Sequence, residues 1–473
     1  MEFEKQFIEQ SEYYGNYDVV VAGGGPAGIG AGIAAARGGL KVLLLEGNGF
    51  MGGVSTAGNL PIMLGATTGS IPFNKMMEQN LAFRDLPHPR KAVGGIFDVL
   101  VEKIKEQNGS DGIAVIPQTE LYPGLDRLGC HDDFIFDIEV AKRVLDEMAA
   151  EVGLELLYYT HALKADIEDN RVKGIWFTNK SGIVYAECKA IIDCTGDADI
   201  VARAGYETYK GDRETGEMTA VNLVTQIENV DSAAVEKYLN EGGDPWMRPA
   251  CEAAQAENPD YRGPKNLIIF PMMQPGVFMI NGGCGFPDID GTNGKDLTKL
   301  TLMGRQRAKY LTEEVFRKHI PGAKNCRMRS TAVMPGVRET RRIVGEYMLT
   351  EEDLLNGTTF EDTIALAGRH FDLHRTKGQV FADTGRNVKL GVAPIPYRSL
   401  IPKGSHDVIV AGRCIAADGQ ALGPARIMST CMAVGEAAGT AAILKIKEDS
   451  SFIEVDYHAL RDLLRKNGAE VDV

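Results

Sequence analysis

Residues 17–48, YDVVVAGGGPAGIGAGIAAARGGLKVLLLEGN, constrain the fold of this chain more than any other stretch. The β-branched run at 18–22 reads as a buried parallel strand. Gly23, Gly25 and Gly28 follow in G-x-G-x-x-G spacing, with Pro26 and Ala27 between them. An Ala/Gly-rich helix runs to about Gly38, and residues 41–45 read as a second strand that ends at Glu46. This is the strand–turn–helix–strand unit that binds a dinucleotide. The first glycine makes the tight turn, the second lets backbone approach a pyrophosphate, and the third allows close helix–strand packing. The helix N-terminus offers free N–H groups and a positive dipole end to phosphate. Glu46 lies 18 residues after Gly28, where an acid accepts hydrogen bonds from ribose hydroxyls.

At 473 residues the chain can bury a large core and should divide into two or more domains. Its 54 glycines exceed the usual share of about 7% and cluster in motifs, which points to tight turns and close approach to a ligand. The formal net charge of -14 argues against a nucleic-acid partner. No apolar run reaches the roughly 18 residues of a membrane span. The polar first residues, MEFEKQFIEQSEYYGNYD, do not resemble a signal peptide. Eight cysteines are scattered without a CxxC pair, zinc spacing or iron–sulfur pattern. Reduced thiols in a cytoplasmic, metal-free protein are the simplest reading.

Four blocks resemble the FAD-binding flavoproteins of the glutathione-reductase class, nearest to the branch that holds the fumarate reductase and succinate dehydrogenase flavoproteins, and nearer still a broad family of FAD-dependent oxidoreductases. The first block continues from the fingerprint into EGNGFMGGVSTAGN, where the resemblance puts Gly47, Gly52, Gly53, Ser55 and Thr56 in a loop wrapping the FAD phosphates and ribityl chain. Succinate dehydrogenases carry their flavin covalently on a histidine in this loop. No histidine occurs before His88 here, so the resemblance implies non-covalent FAD. The second block, residues 154–205, reads as a strand at 154–159, a three-stranded antiparallel meander over 162–187, and a buried strand at 191–194 ending in Thr195-Gly196-Asp197. The resemblance places Ala162 at an adenine contact and Thr195–Asp197 where the chain returns to FAD. The third block is VMPGVRETRRIVGEY, residues 333–347. The fourth, residues 394–443, has a strand at 408–411 ended by Gly412, an acid at Asp418 where the class often binds the ribityl chain, and Gly423-Pro424 opening a long slim helix. Free N–H groups near Ala425, Ile427 and Met428 would stabilise the anionic N1–C2 edge of a reduced flavin. Apart from GNGFMG at 47–52, which lies inside the loop of the first block, no further G-x-G-x-x-G follows a strand, and a CxxxxC pair is absent, which argues against a pyridine-nucleotide disulfide reductase.

The expected fold is α/β: a discontinuous Rossmann-like FAD domain (16–70, 130–207 and 390–450) with a β-meander, cap elements at 71–129, an inserted α+β substrate domain at 208–389, and a C-terminal segment at 451–473. Asp137 is the expected N-cap of a crossover helix.

Chemistry is sought in the insertion. In GRHFDLHR, Asp372 and His374 share a face if the segment is a strand, and Asp beside His can fix its tautomer. His370 lies four residues before His374. The alternative is a polar rim strand. In the third block Arg338 and Arg342 share a face on either a strand or a helix, so they form the pair expected to meet one anion, while Arg341 points elsewhere. Ion pairing with Glu339, tying the cap to the FAD domain, is the competing reading. The stretch from Asn281 to Pro287 reads as a turn approaching the active site, in which Cys284 is a small buried residue rather than a nucleophile, and Tyr397 and Arg398 read as wall residues.

Together these features describe an FAD-dependent oxidoreductase, a dehydrogenase or C=C reductase, that moves hydride between flavin N5 and a small organic substrate bearing an anionic, carbonyl or hydroxyl group. An RNA-modifying flavoprotein and a non-catalytic FAD carrier stay open as alternatives. The electron partner is unassigned, and a homo-oligomer is compatible with the sequence. Substituting His374→Ala should retain FAD yet lower the rate at least about 10²-fold, the lower range for general acid–base catalysis. Full activity in that variant refutes the assignment.

Overall fold

A computed structural model describes residues 11–68, 90–114, 133–213, 215–258, 260–261, 263–282, 285–372 and 388–473. The chain opens with strand β1 (Glu12–Ala22), helix α1 (Pro26–Arg37) and strand β2 (Val42–Leu45). Helices α2 (Ile96–Glu106) and α3 (Ile138–Glu151) lead to β3 (Glu155–Leu157). The meander follows as β4 (His161–Glu168), β5 (Arg171–Asn179) and β6 (Gly182–Asp193).

The main sheet runs β3-β2-β1-β6-β5-β4, and a late strand also joins β6. β1 pairs in parallel with β2 (Val21↔Leu44) and with β6 (Val21↔Ile192), whereas β4, β5 and β6 pair antiparallel. This is the expected α/β class, with one difference. The meander's third strand and the buried strand before Thr195 are a single element. β6 is 12 residues long and offers one edge to β1 throughout. Its other edge takes β5 in the first half and the late strand in the second. Four-residue β2 is fully buried, as a strand covered on both faces must be.

A second sheet joins β7 (Thr225–Glu228), β8 (Ile268–Pro271), β9 (Phe278–Gly282) and β10 (Arg327–Thr331) in the antiparallel order β8-β9-β7-β10. It packs on its own core, which includes Ile227, Leu239, Ile269, Phe278, Ile280 and Phe316. The chain then forms an antiparallel pair, β11 (Thr363–Ala367) with β12 (Ala393–Pro396), and returns to the main sheet as β13 (Val408–Val410), parallel to β6.

The long helix α4 (Met428–Glu448) lies on α1. The contact is backbone to backbone: a Cβ on Gly30 would sit 2.2 Å from the Met432 carbonyl oxygen, and one on Gly435 2.0 Å from that of Ala27. Expected to open at Gly423-Pro424, α4 instead starts at Met428. Residues 422–425 form a separate helical turn, and Ile427 is extended (ψ 142°). Asp137 does cap α3, accepting from the N–H of Glu139 and Val140.

At the far end of α4 a buried ion cluster ties helix to sheet. Asp407 accepts from Lys445 at 2.6 Å and Arg171 Nε at 3.0 Å, and both Asp407 and Lys445 are 1% exposed. Hydrogen bonds from Lys445, His406 and the Val172 N–H outweigh burial and hold the Asp407 carboxyl below its usual value. A depressed folded pKa means this stabilisation is complete above the unfolded value near pH 3.9 and is lost as pH falls through the folded one. Asp407→Asn leaves Lys445 buried without its counter-charge and should cost about 3–5 kcal/mol at pH 7 in urea unfolding. The loss should shrink below pH 4. A variant as stable as wild type at pH 7 contradicts this account.

Candidate active site

The C-terminal ends of β1, β2 and β6, where ligands bind in doubly wound sheets, open on a cavity of about 1440 Å³. Typical small-molecule pockets hold roughly 300–1,000 Å³, so this one has room for a dinucleotide and a second ligand.

Of the expected cofactor residues, Gly23, Gly25, Pro26, Ala27, Glu46, Gly47, Gly53, Ala162, Thr195, Gly196, Asp197, Gly412, Ile427 and Met428 line it. Gly23 has φ +105°, and a Cβ there would lie 2.6 Å from the Cys194 carbonyl oxygen, so only glycine fits. Gly28 stands behind the wall, where a Cβ would meet Gly23 O at 1.8 Å, which is the helix–strand packing role. Gly25 differs from both. Its φ is −69°, and no atom lies within 4 Å of a Cβ built on it. The fold itself does not need glycine there; the open space above it does, and a pyrophosphate approaching the α1 N-terminus fits that space. Glu46 is buried, with Oε2 accepting from Gly24 N–H at 2.8 Å and Oε1 from Asn48 N–H at 2.7 Å. A carboxylate has lone pairs left for ribose hydroxyls. These residues fit FAD.

The remaining expected residues serve the loops. Gly52 N–H donates to Gly24 O, Ser55 Oγ to Gly52 O and Thr56 Oγ1 to Met51 O, which fastens the second loop onto the first. Asp418 is off the cavity, accepting from the Glu351 and Ala421 N–H groups. Ala425 is buried in the short turn before α4.

The arginine-rich block divides three ways, and the expected Arg338–Arg342 pair does not form. Arg338 lines the cavity, anchored by a 2.9 Å bond to Ala220 O. Arg342 is fully buried, 3.0 Å from Glu339 and stacked over Tyr209, with a further bond to Gly211 O. Arg341 donates to Asp197 O and pairs with Asp199. The shared-face argument fails because only residues 341–343 form a strand, paired with residues 208–210, while 337–340 are irregular.

GRHFD is likewise not a strand. β11 ends at Ala367, and the chain passes so close to residues 65–67 that a Cβ on Gly368 would lie 1.8 Å from Thr67 O. His370 is buried, and it lines the cavity together with Asp372. His374 and Cys284 lie outside the described residues. Tyr397 is buried and bonds to Phe452 O, and Arg398 pairs with Asp362 at 2.9 Å; neither lines the cavity.

Sequence reasoning missed the cavity-lining Arg369, Arg413 and Arg426, together with Asn222, while Asn281 opens the stretch expected to approach the active site. Arg413 bridges Asp197 (2.8 Å) and Thr340 (3.0 Å), fastening the arginine block to the Thr195–Asp197 turn. Arg426 is nine-tenths buried beside the α4 N-terminus, 3.9 Å from the Asp372 carboxylate and bonded to the Asp372 carbonyl. Burial pulls its guanidinium below the ordinary value, and Asp372 opposes that shift. Among the described residues the Nε groups of Arg369 and Arg426 are buried without an acceptor.

A dinucleotide cradle of this form on a Rossmann-like sheet, with a meander and an inserted second sheet, defines a flavoprotein oxidoreductase. Residues 18–464 match the model of the FAD dependent oxidoreductase family, and the chain belongs to that family. It is 28% identical over 242 residues to digeranylgeranylglycerophospholipid reductase 2 of Methanothermobacter thermautotrophicus, covering 50% of this chain and 54% of that one. To the digeranylgeranylglycerophospholipid reductase of Methanoculleus marisnigri it is 26% identical over 225 residues, 47% and 49% of the two chains. The chain thus spans about half the length of the relatives it matches. A solved geranylgeranyl bacteriochlorophyll reductase-like protein from Thermoplasma acidophilum is 16% identical with a TM-score of 0.44, covering 96% of this chain and 84% of that one.

Gly25→Val projects side chain into the cradle without straining backbone. It should melt near the wild-type temperature yet purify with less than about a tenth of the flavin absorbance, while Gly28→Val should fail to fold. Full flavin in soluble Gly25→Val rules out the cradle.

Proposed function

We propose that the protein binds FAD without a covalent bond and transfers hydride between flavin N5 and a small organic substrate bearing an anionic, carbonyl or hydroxyl group. The observation that carries this reading is the single cavity shared by the dinucleotide loops and by Arg338, Arg369, His370, Asp372 and Arg426. Bound FAD would supply the hydride acceptor or donor at N5. The protein's own groups supply charge and proton handling. A buried N–H without a partner costs about 1–3 kcal/mol, so the orphaned Nε groups of Arg369 and Arg426 favour an anion between them. Arg338 adds a third guanidinium to the lining of the same cavity. His370, buried close to Asp372 in sequence, is the described group suited to give or take the substrate's proton.

That the relatives are named reductases supports reduction over dehydrogenation. Kinship with the fumarate reductase and succinate dehydrogenase flavoproteins belongs to the proposal and rests on the four sequence blocks. A small-molecule partner fits the acidic chain better than RNA.

The test is anaerobic: the flavin spectrum is followed while reductants and then a metabolite panel are added. With the substrate found, Arg338→Ala should raise KM about 10- to 100-fold, the worth of one charged hydrogen bond, at unchanged flavin content. His370→Asn should lower kcat about 10²-fold. If both variants turn over like wild type, the substrate site is elsewhere.

A further inference from the structure

On β8 and at the start of β9 the second sheet is apolar on both faces, and Asn281, next in the alternation, adds a polar group to the cavity side. Ile269, Phe278 and Ile280 point into the sheet's own core. Their neighbours in the alternation, Ile268 and Phe270 on β8 and Met279 on β9, line the cavity. An antiparallel sheet with one face toward water carries polar residues there; these positions do not. Opposite them stand Leu60, Ile62 and Leu64, from the loop that follows the glycine cradle. Ile62 and Met279 belong to one small apolar cluster, with Leu60, Leu64 and Phe270 packed on it.

This apolar belt meets the arginines at residues 64–65. Ser429, in the first turn of α4, donates to Leu64 O. A Cβ on Gly65 would lie 3.3 Å from Arg369 Cβ and 3.4 Å from Ile427 Cγ2. One end of the belt therefore abuts Arg369 and the α4 N-terminus, beside Arg426 with its acceptor-less Nε. A short dicarboxylate would satisfy the arginines and leave the belt uncovered, whereas a neutral apolar molecule would do the reverse.

Building on the FAD reading above, we propose that the substrate is an amphipathic anion. An apolar chain of several carbons lies against the half-buried Ile268 and Phe270, and a carboxylate or phosphate head sits at Arg369 and Arg426. The belt sets selectivity by chain length, and the arginines fix which end of the molecule faces the cofactor.

Calorimetric titration of the purified holoprotein with succinate, butanoate, hexanoate, octanoate, octyl phosphate and octan-1-ol tests this, because heat of binding does not depend on turnover. Flavin content, measured separately by absorbance, tests the cofactor reading on its own. Kd should fall about tenfold for each two methylenes from butanoate to octanoate, and octan-1-ol should bind at least about tenfold more weakly than octanoate. Phe270→Ser, or Ile268→Thr should the first not fold, flattens the chain-length series. Arg369→Met, backed by Arg426→Met, abolishes the preference for octanoate over octan-1-ol. Tighter binding of octyl phosphate than octanoate keeps the class and selects the head. Equal Kd across the series, succinate tighter than octanoate, or octan-1-ol equal to octanoate each overturns the proposal.

Discussion

The glycine contact between α1 and α4 is the constraint on which the site depends. The helices touch through backbone: Gly30 against Met432, Gly435 against Ala27, and Gly439 against Ala31, where a Cβ would lie 2.3 Å from the carbonyl oxygen. Residues 27 and 31 meet 435 and 439, so the helices run parallel and their N-termini face the same way. One helix end faces the glycine cradle, and the other faces the Arg369–Arg426 region. Any side chain at Gly30 or Gly435 would part the helices and move one dipole relative to the other.

Charge is distributed to match. A chain with formal net charge -14 places Arg338, Arg369, Arg413 and Arg426 around one cavity. Two of the block's three arginines, Arg341 and Arg342, are spent on carboxylates and carbonyls and act as ties. Asp197 is the node: it holds Arg413, Thr340 and Arg341, so the turn after β6 is locked to the inserted segment. On the cavity wall Arg413 is paired with Asp197 and Arg426 stands 3.9 Å from the Asp372 carboxylate, while the Nε groups of Arg369 and Arg426 have no acceptor among the described residues. A buried donor without an acceptor is unfavourable until one arrives, and this supports the proposed anion site.

How much was legible in the sequence follows from which forces are local. The β1–α1–β2 unit was readable because glycine spacing and an unbroken apolar run leave the backbone few choices. The meander was readable from its turns, at Asp169-Asn170 and around Ser181. Its continuity with the parallel strand was not, since no local signal says that residues 182–193 serve two partners at once. The fate of Arg342 was hidden because a shared-face rule presumes a regular element, and the segment is irregular until residue 341. Arg426 sat between two positions singled out for their backbone, Ala425 and Ile427, yet was passed over, because nothing in the sequence shows that ψ 142° at Ile427 breaks the helix there. Arg369 was adjacent to the selected His370 and needed the backbone crossing at Gly368 to be turned into the cavity.

That crossing also accounts for how one cavity serves two units. Gly368 packs on Thr67 and Gly423 on Asp372, where a Cβ would lie 2.7 Å from the Asp372 N–H nitrogen. The segment carrying His370 and Asp372 is thus clamped between the loop after the cradle and the turn before α4. Both clamps are backbone contacts, stiffer than side-chain packing, and both depend on a glycine. The segment is therefore held in register with the Gly23–Gly28 turn through α4 and α1. The proposed proton transfer by His370 requires that residue fixed against the cofactor to a fraction of an ångström, and a chain of backbone contacts between the two is suited to that rigidity.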